Sequence, residues 1–132
     1  MKDVKLTVRT VMTDWAETEE TVFEYRGQYY RRDDNDFLRY EEDDPKCTTV
    51  IKADKKTAVI SRSGETKSIM KIVPGEEHTN AYRTPNLTFD ITVRGTAVEN
   101  LLPEGVLHLE YVLATHFGEI GKREIFITLE EV

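Results

Sequence analysis

The run Leu87-Thr88-Phe89-Asp90-Ile91-Thr92-Val93-Arg94 places an apolar residue at every odd position and a polar or charged one at every even position. A period of two belongs to a β-strand with one face buried and the other in water. The same grammar returns along the whole chain. Val4 to Arg9, Thr21 to Tyr25, Gln28 to Arg32, Phe37 to Glu42 and Thr48 to Lys52 read as strands. So do Thr57 to Arg62, Lys67 to Val73, His78 to Thr84, Val106 to Phe117 and Glu124 to Glu130. Turn residues punctuate them: Arg26-Gly27, Asp33-Asp34-Asn35-Asp36, Asp43-Asp44-Pro45, Asp54-Lys55-Lys56, Ser63-Gly64, Pro74-Gly75 and Pro85-Asn86. Only Thr96 to Leu102, with Ala97, Val98, Leu101 and Leu102, allows a short turn of helix.

Many short strands joined by tight turns make an antiparallel meander, and a long meander must close or fold over to hide its edges. The expected fold is all-β, an up-and-down antiparallel barrel of about 8–10 strands, with a two-sheet sandwich as the alternative. The expected inward set is Leu87, Phe89, Ile91, Val93, Leu107, Leu109, Tyr111, Leu113, Ile125, Ile127 and Leu129. With 132 residues the chain fits a single domain spanning 1–132. Its 33% of charged residues suit a thin wall whose strands each show one face to water.

Charge and composition narrow the partners. The net charge of −7 repels polyanions, so nucleic acid is not an expected partner. The small basic group Lys52, Lys55 and Lys56 is broken by Asp54 and reads as a solvated turn. No apolar stretch is long enough to span a membrane as a helix. The charged start, with Lys2, Asp3 and Lys5, does not read as a signal peptide. With one cysteine and no intrachain disulfide, the cytoplasm is the expected compartment.

No catalytic or metal constellation emerges. His108 and His116 read as one face of one strand, and eight residues at about 3.3 Å each separate them by roughly 26 Å, too far to share a metal. His78 stands beside Glu76 and Glu77 near a turn. The acidic runs at Asp33 to Asp36 and Glu41 to Asp44 lack calcium-loop spacing and read as turn residues. Cys47 has no neighbouring histidine, and Ser61-Arg62-Ser63-Gly64 is no nucleophile elbow. No enzyme activity, cofactor or bound metal is expected.

One feature stands out from this background. Arg62 shares a strand face with Ala58 and Ile60, so it points inward, where a guanidinium must be paired or bound to an anion. Tyr40, Tyr82 and Tyr111 also fall within strands, and each brings an apolar body with one polar tip. These four residues form the candidate ligand-binding set for a small, anionic or amphipathic ligand. An internal partner for Arg62, which would make the residue structural, is the alternative. A filled barrel acting through its surface is the competing function. Phe126 and Thr128, outward on the last strand, and Phe117 would then mediate protein interaction or self-association as a homodimer.

The ordered segments Gly27-Gln28-Tyr29-Tyr30, Phe37-Leu38-Arg39-Tyr40-Glu41-Glu42 and Thr49-Val50-Ile51-Lys52 resemble a bacterial family. Arg62-Ser63-Gly64, Met70-Lys71-Ile72-Val73, Tyr82-Arg83-Thr84 and Leu109-Glu110-Tyr111 continue the match in order, from about Leu6 to Glu130. The family is the YwiB-like domain of unknown function. The resemblance implies a cytosolic protein with a calycin, that is lipocalin-like, β-barrel and no established activity. Lipocalins hold small apolar molecules in the barrel mouth, which is an analogy of fold. Their secreted members carry a Gly-x-Trp signature that this chain lacks, since Trp15 follows no such glycine.

Overall fold

The structure, a computed structural model, describes residues 1–132. Ten antiparallel strands follow one another in a closed ring, each paired with its sequence neighbours, and the first pairs with the last. They are β1 (Lys2–Thr13), β2 (Thr18–Arg32), β3 (Asn35–Asp43), β4 (Lys46–Ala53), β5 (Ala58–Gly64), β6 (Lys67–Ile72), β7 (Glu77–Arg83), β8 (Thr88–Leu101), β9 (Val106–Thr115) and β10 (Gly118–Glu131). One 3-10 turn, Leu102–Glu104, links β8 to β9. No helix is long and apolar enough to cross a membrane.

The alternation sets the register. Val4, Leu6 and Val8 in β1, Leu107 to Leu113 at odd positions in β9, and Ile125 and Ile127 in β10 are buried in one core. Phe89 and Leu129 pack against it half-buried, and Ile91 and Val93 complete the β8 face. Asp90 and Thr88 face solvent, as a period of two requires. Leu87 departs from this pattern. It lies in the β7–β8 turn ahead of the strand, where no partner strand covers it, and is 59% exposed.

Arg26-Gly27 is not a turn, because β2 runs unbroken through it. Gly27 pairs with Val4 on one side and Tyr40 on the other. A Cβ there would collide with the Arg39 carbonyl and with Leu6 Cδ1 and Tyr40 Cβ. Glycine therefore serves a close approach of the β3 backbone and of the Leu6 and Tyr40 side chains rather than a change of direction. Ser63-Gly64 likewise belongs to β5, and the chain turns at Glu65 and Thr66. Thr96 to Leu101 extends β8 past a bulge between Gly95 and Ala97, so the helical turn begins only at Leu102. Gly95 is the second close approach, since a Cβ would meet the Val73 backbone. His116 leaves β9 altogether and sits in the β9–β10 turn, not on the face of His108.

The two barrel ends differ. At the end carrying the β2–β3, β4–β5 and β8–β9 connections, Asp33 and Asp34 make a hairpin turn with φ of 51° and 66°. Asp36 is no turn residue: alternation brings it inward, and it is 1% exposed. Its carboxylate accepts from the Tyr29 hydroxyl at 2.5 Å, Asn100 Nδ2 at 2.8 Å and Arg31 at 3.3 Å. Asn100 also donates to the Asp54 carbonyl, and its Oδ1 accepts from the backbone N–H of Leu102. Leu102, fully buried, plugs this end. Burial, reinforced by the Asp36 carboxylate, pushes the Tyr29 phenol up to about 12.

Candidate functional site

The opposite end is open. A cavity of about 450 Å³ enters the barrel between the β1–β2 and β3–β4 turns. Its apolar lining comes from inward positions of six strands and includes Val8, Phe23, Tyr25, Ile51, Ile60 and Ile125. Phe23 is 54% exposed because it stands at the lip, and its ring lies 6.2 Å from that of Tyr25. Tyr25 stacks on Tyr40 at 4.9 Å.

Arg62 points inward at this level, as its register with Ala58 and Ile60 requires. Its Nε donates to Glu42 Oε2 at 3.2 Å, and the two side chains are 22% and 19% exposed. Glu42 is inward by the same counting that buries Leu38 and Tyr40. Its Oε2 also accepts from Thr49 Oγ1 at 2.5 Å and from the Cys47 thiol at 3.6 Å. Burial works to lower the Arg62 pKa, but Glu42 and the hydroxyls of Tyr40, Tyr111 and Tyr82 outweigh it, and the guanidinium stays above its ordinary value. Burial, aided by Glu42, raises the Cys47 thiol, which makes it a poor nucleophile.

A second arginine enters the same cavity. Arg123 precedes Ile125 and Ile127 by two and four positions and shares their inward face. It pairs across the ladder with Tyr111 and Met12. β5 and β10 stand five places apart in the ring of ten, so Arg62 and Arg123 reach in from opposite walls. The Arg123 guanidinium works to lower the pKa of the Tyr111 phenol, which burial nevertheless holds above its usual value. No carboxylate pairs with Arg123.

Three further acids border the cavity, but none lies on the inward face. Glu24 alternates outward and pairs with Lys5 at 3.4 Å. Asp43 also alternates outward, and Asp44 lies in the exposed β3–β4 turn. Within the wall, Arg62 and Arg123 face Glu42, while Glu19, which shares the inward parity of Phe23 on β2, stands exposed at the lip across Met12 from Arg123.

Of the four residues singled out in the sequence, Arg62 and Tyr40 line the cavity. Tyr111 lies at 1% exposure beneath it, and Tyr82 is half-buried beside it with its ring 5.4 Å from that of Phe89. Glu42, Arg123 and Ser68 escaped notice. Ser68 is the ladder partner of both Arg62 and Tyr82, and its buried hydroxyl has no hydrogen-bond partner. Parity would have found all three: counting by twos from Tyr40, Ile125 and Met70 reaches them.

The phenols give this end a pH signature. Tyr40 is pushed up chiefly by burial and then by Glu42, and Tyr25 for the same two reasons. A phenol whose folded pKa exceeds its unfolded value of 10.0 contributes stability that is full below that pH and is lost as pH rises above it. The urea midpoint should therefore hold steady from about pH 8 and fall steeply beyond about pH 10, with tyrosinate absorbance appearing together with unfolding. Tyrosinate developing in a folded barrel at its ordinary pKa would contradict this.

The fold and site define a small lipocalin-like barrel with one plugged end and one polar, open end. The chain belongs to the family described as a domain of unknown function, DUF1934, whose pattern matches residues 6–127. Its fold is similar to that in the crystal structure of the ywiB protein from Bacillus subtilis, with a TM-score of 0.84 and 22% sequence identity. That match covers 99% of this chain and 92% of the other. No curated protein matches.

Proposed function

We propose that the barrel is a binding module, without catalytic chemistry, that holds a small anionic, amphipathic molecule in its open end. The observation that carries this reading is Arg123, an inward guanidinium facing Arg62 with no carboxylate of its own. A cation held in a half-enclosed cavity attracts an anion more strongly than the same cation on a free surface. The volume of about 450 Å³ falls within the range of small-molecule pockets, and its aromatic and aliphatic walls suit an apolar body. Among the lining residues there is no histidine to move a proton.

Of the residues on which the surface alternative rests, Phe117 is 90% exposed and Thr128 faces solvent, but Phe126 is not free. Phe126 is covered by its own neighbours, with the His108 ring stacked at 4.5 Å and the Arg9 guanidinium 4.9 Å from its centroid.

Titration with the fluorescent sulfonate 1-anilinonaphthalene-8-sulfonate tests the proposal. One equivalent should bind, and Arg123→Met should weaken it by about tenfold or more, because an ionised hydrogen bond in a sheltered site is lost. Arg9→Met, on the outer wall, should leave binding unchanged. Sensitivity to Arg9 with indifference to Arg123 would place the dye on the surface and overturn the reading.

A further inference from the structure

We propose that the free edge of β2 at the open end is a docking site for an extended, basic segment of another protein, which adds to the sheet as one more strand. The site stands apart from any ligand role of the cavity. β2 pairs with β1 from Thr18 to Tyr29, but with β3 only from Gly27 to Arg32. Beyond Gly27 and Tyr40 the two strands part, and β3 stays with β4 through Glu41, Glu42 and Asp43. The stretch from Thr18 to Arg26 is left with no ladder partner on one side, and no backbone hydrogen bond outside the strands reaches it. Alternate N–H and C=O groups along this edge point away from β1, and such a row is the template on which an added strand pairs.

The side chains select the occupant. Val22 on the outer face and Phe23 on the inner face are each 54% exposed, and both lack the cross-strand neighbour that a paired edge would supply. Around them Glu19, Glu20 and Glu24 are exposed, with no base between Thr18 and Glu24, and Asp43 and Asp44 stand across the gap. Neither proline, lysine nor a bulge blunts this stretch, so its glutamates alone keep unwanted strands away. They exclude a second copy of this chain. Antiparallel pairing of β2 with itself about Val22 sets Glu20 opposite Glu24 twice over, and each molecule carries a net charge of −7. A strand with lysine or arginine on its outer face and apolar residues on its inner face is complementary instead. Its cations meet Glu20 and Glu24, and an apolar side chain covers Phe23 above the cavity mouth. The ion pairs these glutamates already make, with Arg9 and Lys5, are exposed and rearrange at little cost.

Three blocked octapeptides test the site: one alternating lysine and valine, one alternating glutamate and valine, and the lysine peptide with every backbone nitrogen methylated. The last keeps the charge but has no backbone donor. Affinities are measured by nuclear magnetic resonance titration, and amide hydrogen exchange is followed along β2. The lysine peptide should bind and slow exchange at alternate amides between Thr18 and Glu24 by about tenfold or more, the pattern of a newly paired edge. The glutamate and methylated peptides should each bind at least about tenfold more weakly, the first through charge and the second through lost main-chain hydrogen bonds. The double variant Glu20→Lys with Glu24→Lys should reverse the preference between the lysine and glutamate peptides. Equal binding of the lysine peptide and its methylated form would reduce the contact to charge adsorption and overturn the proposal. So would protection confined to other strands, or no binding of the lysine peptide at all. A dimer formed without peptide, with the same β2 amides protected, would give the edge to a second copy and overturn it as well.

Discussion

Replacing Arg62 by methionine is expected to lower folding stability by about 2–3 kcal/mol, because it leaves the Glu42 carboxylate inside the wall with only Thr49 and Cys47 to donate to it. Removing one partner of a fully buried ion pair costs more, about 3–5 kcal/mol. Here both side chains keep about a fifth of their surface exposed, and water screens part of the loss. The loss belongs to the stranded carboxylate rather than to the missing arginine. Glu42→Gln in the Arg62→Met background should therefore recover more than half of it, since a neutral amide is far cheaper to hold there than a charge. Urea midpoints for the two single variants and the pair close the cycle. Simple additivity would show that the two side chains do not act on each other. This outcome makes Arg62 structural first, fixed by Glu42, and leaves Arg123 as the arginine free to meet a ligand.

Gly27→Ala is expected to be comparably damaging, at about 3 kcal/mol or a melting point lowered by roughly 10 °C. The methyl group would press on the Arg39 carbonyl of β3, with the Leu6 and Tyr40 side chains closing the space on either side. The Leu6 tip can rotate away but the Arg39 carbonyl cannot, so β2 and β3 would have to part. Gly75→Ala provides the contrast. It has φ of 85° and open space around it, so only the left-handed backbone is penalised, at about 1 kcal/mol. Equal losses in the two variants would mean that Gly27 is retained for its backbone freedom alone, as a turn residue would be.

Gly27 also marks the limit of what local sequence conveys. Arg26-Gly27 between two aromatic strand segments has the composition of a tight turn, and its true role depends on Val4 and Tyr40, which are distant in the chain. Period two, by contrast, is a purely local signal, and wherever it is unbroken it gave the correct face for Ile91, Leu109, Ile127 and Arg62. It fails at Leu87 because alternation continues one residue beyond the last ladder pair, Arg83 with Thr88, where nothing remains to cover the side chain.

The site was legible in part for the same reason. Arg62 is visible because apolar residues flank it at Ala58 and Ile60. Glu42 and Asp36 were hidden inside acidic runs whose composition reads as turn, although parity with Leu38 and Tyr40 places both inside. Arg123 sits at the start of its apolar series, where one flanking residue on the inward face is Gly121 rather than an aliphatic. Which charges meet across the barrel depends on strand order around the ring, and no local pattern carries that. Asp36 with Asn100 at one end, and Arg62 opposite Arg123 at the other, emerge only on closure.

The most direct test of a barrel that binds inside its open end is a nuclear magnetic resonance titration. It follows the arginine Nε–Hε and backbone amide resonances while 1-anilinonaphthalene-8-sulfonate is added. Binding within the mouth should shift Arg62, Arg123, Tyr25 and Ile60 and saturate at one equivalent, leaving Arg9, His108 and Phe126 in place. Shifts confined to Arg9, His108 and Phe126, with the two inward arginines unmoved, would contradict an interior site.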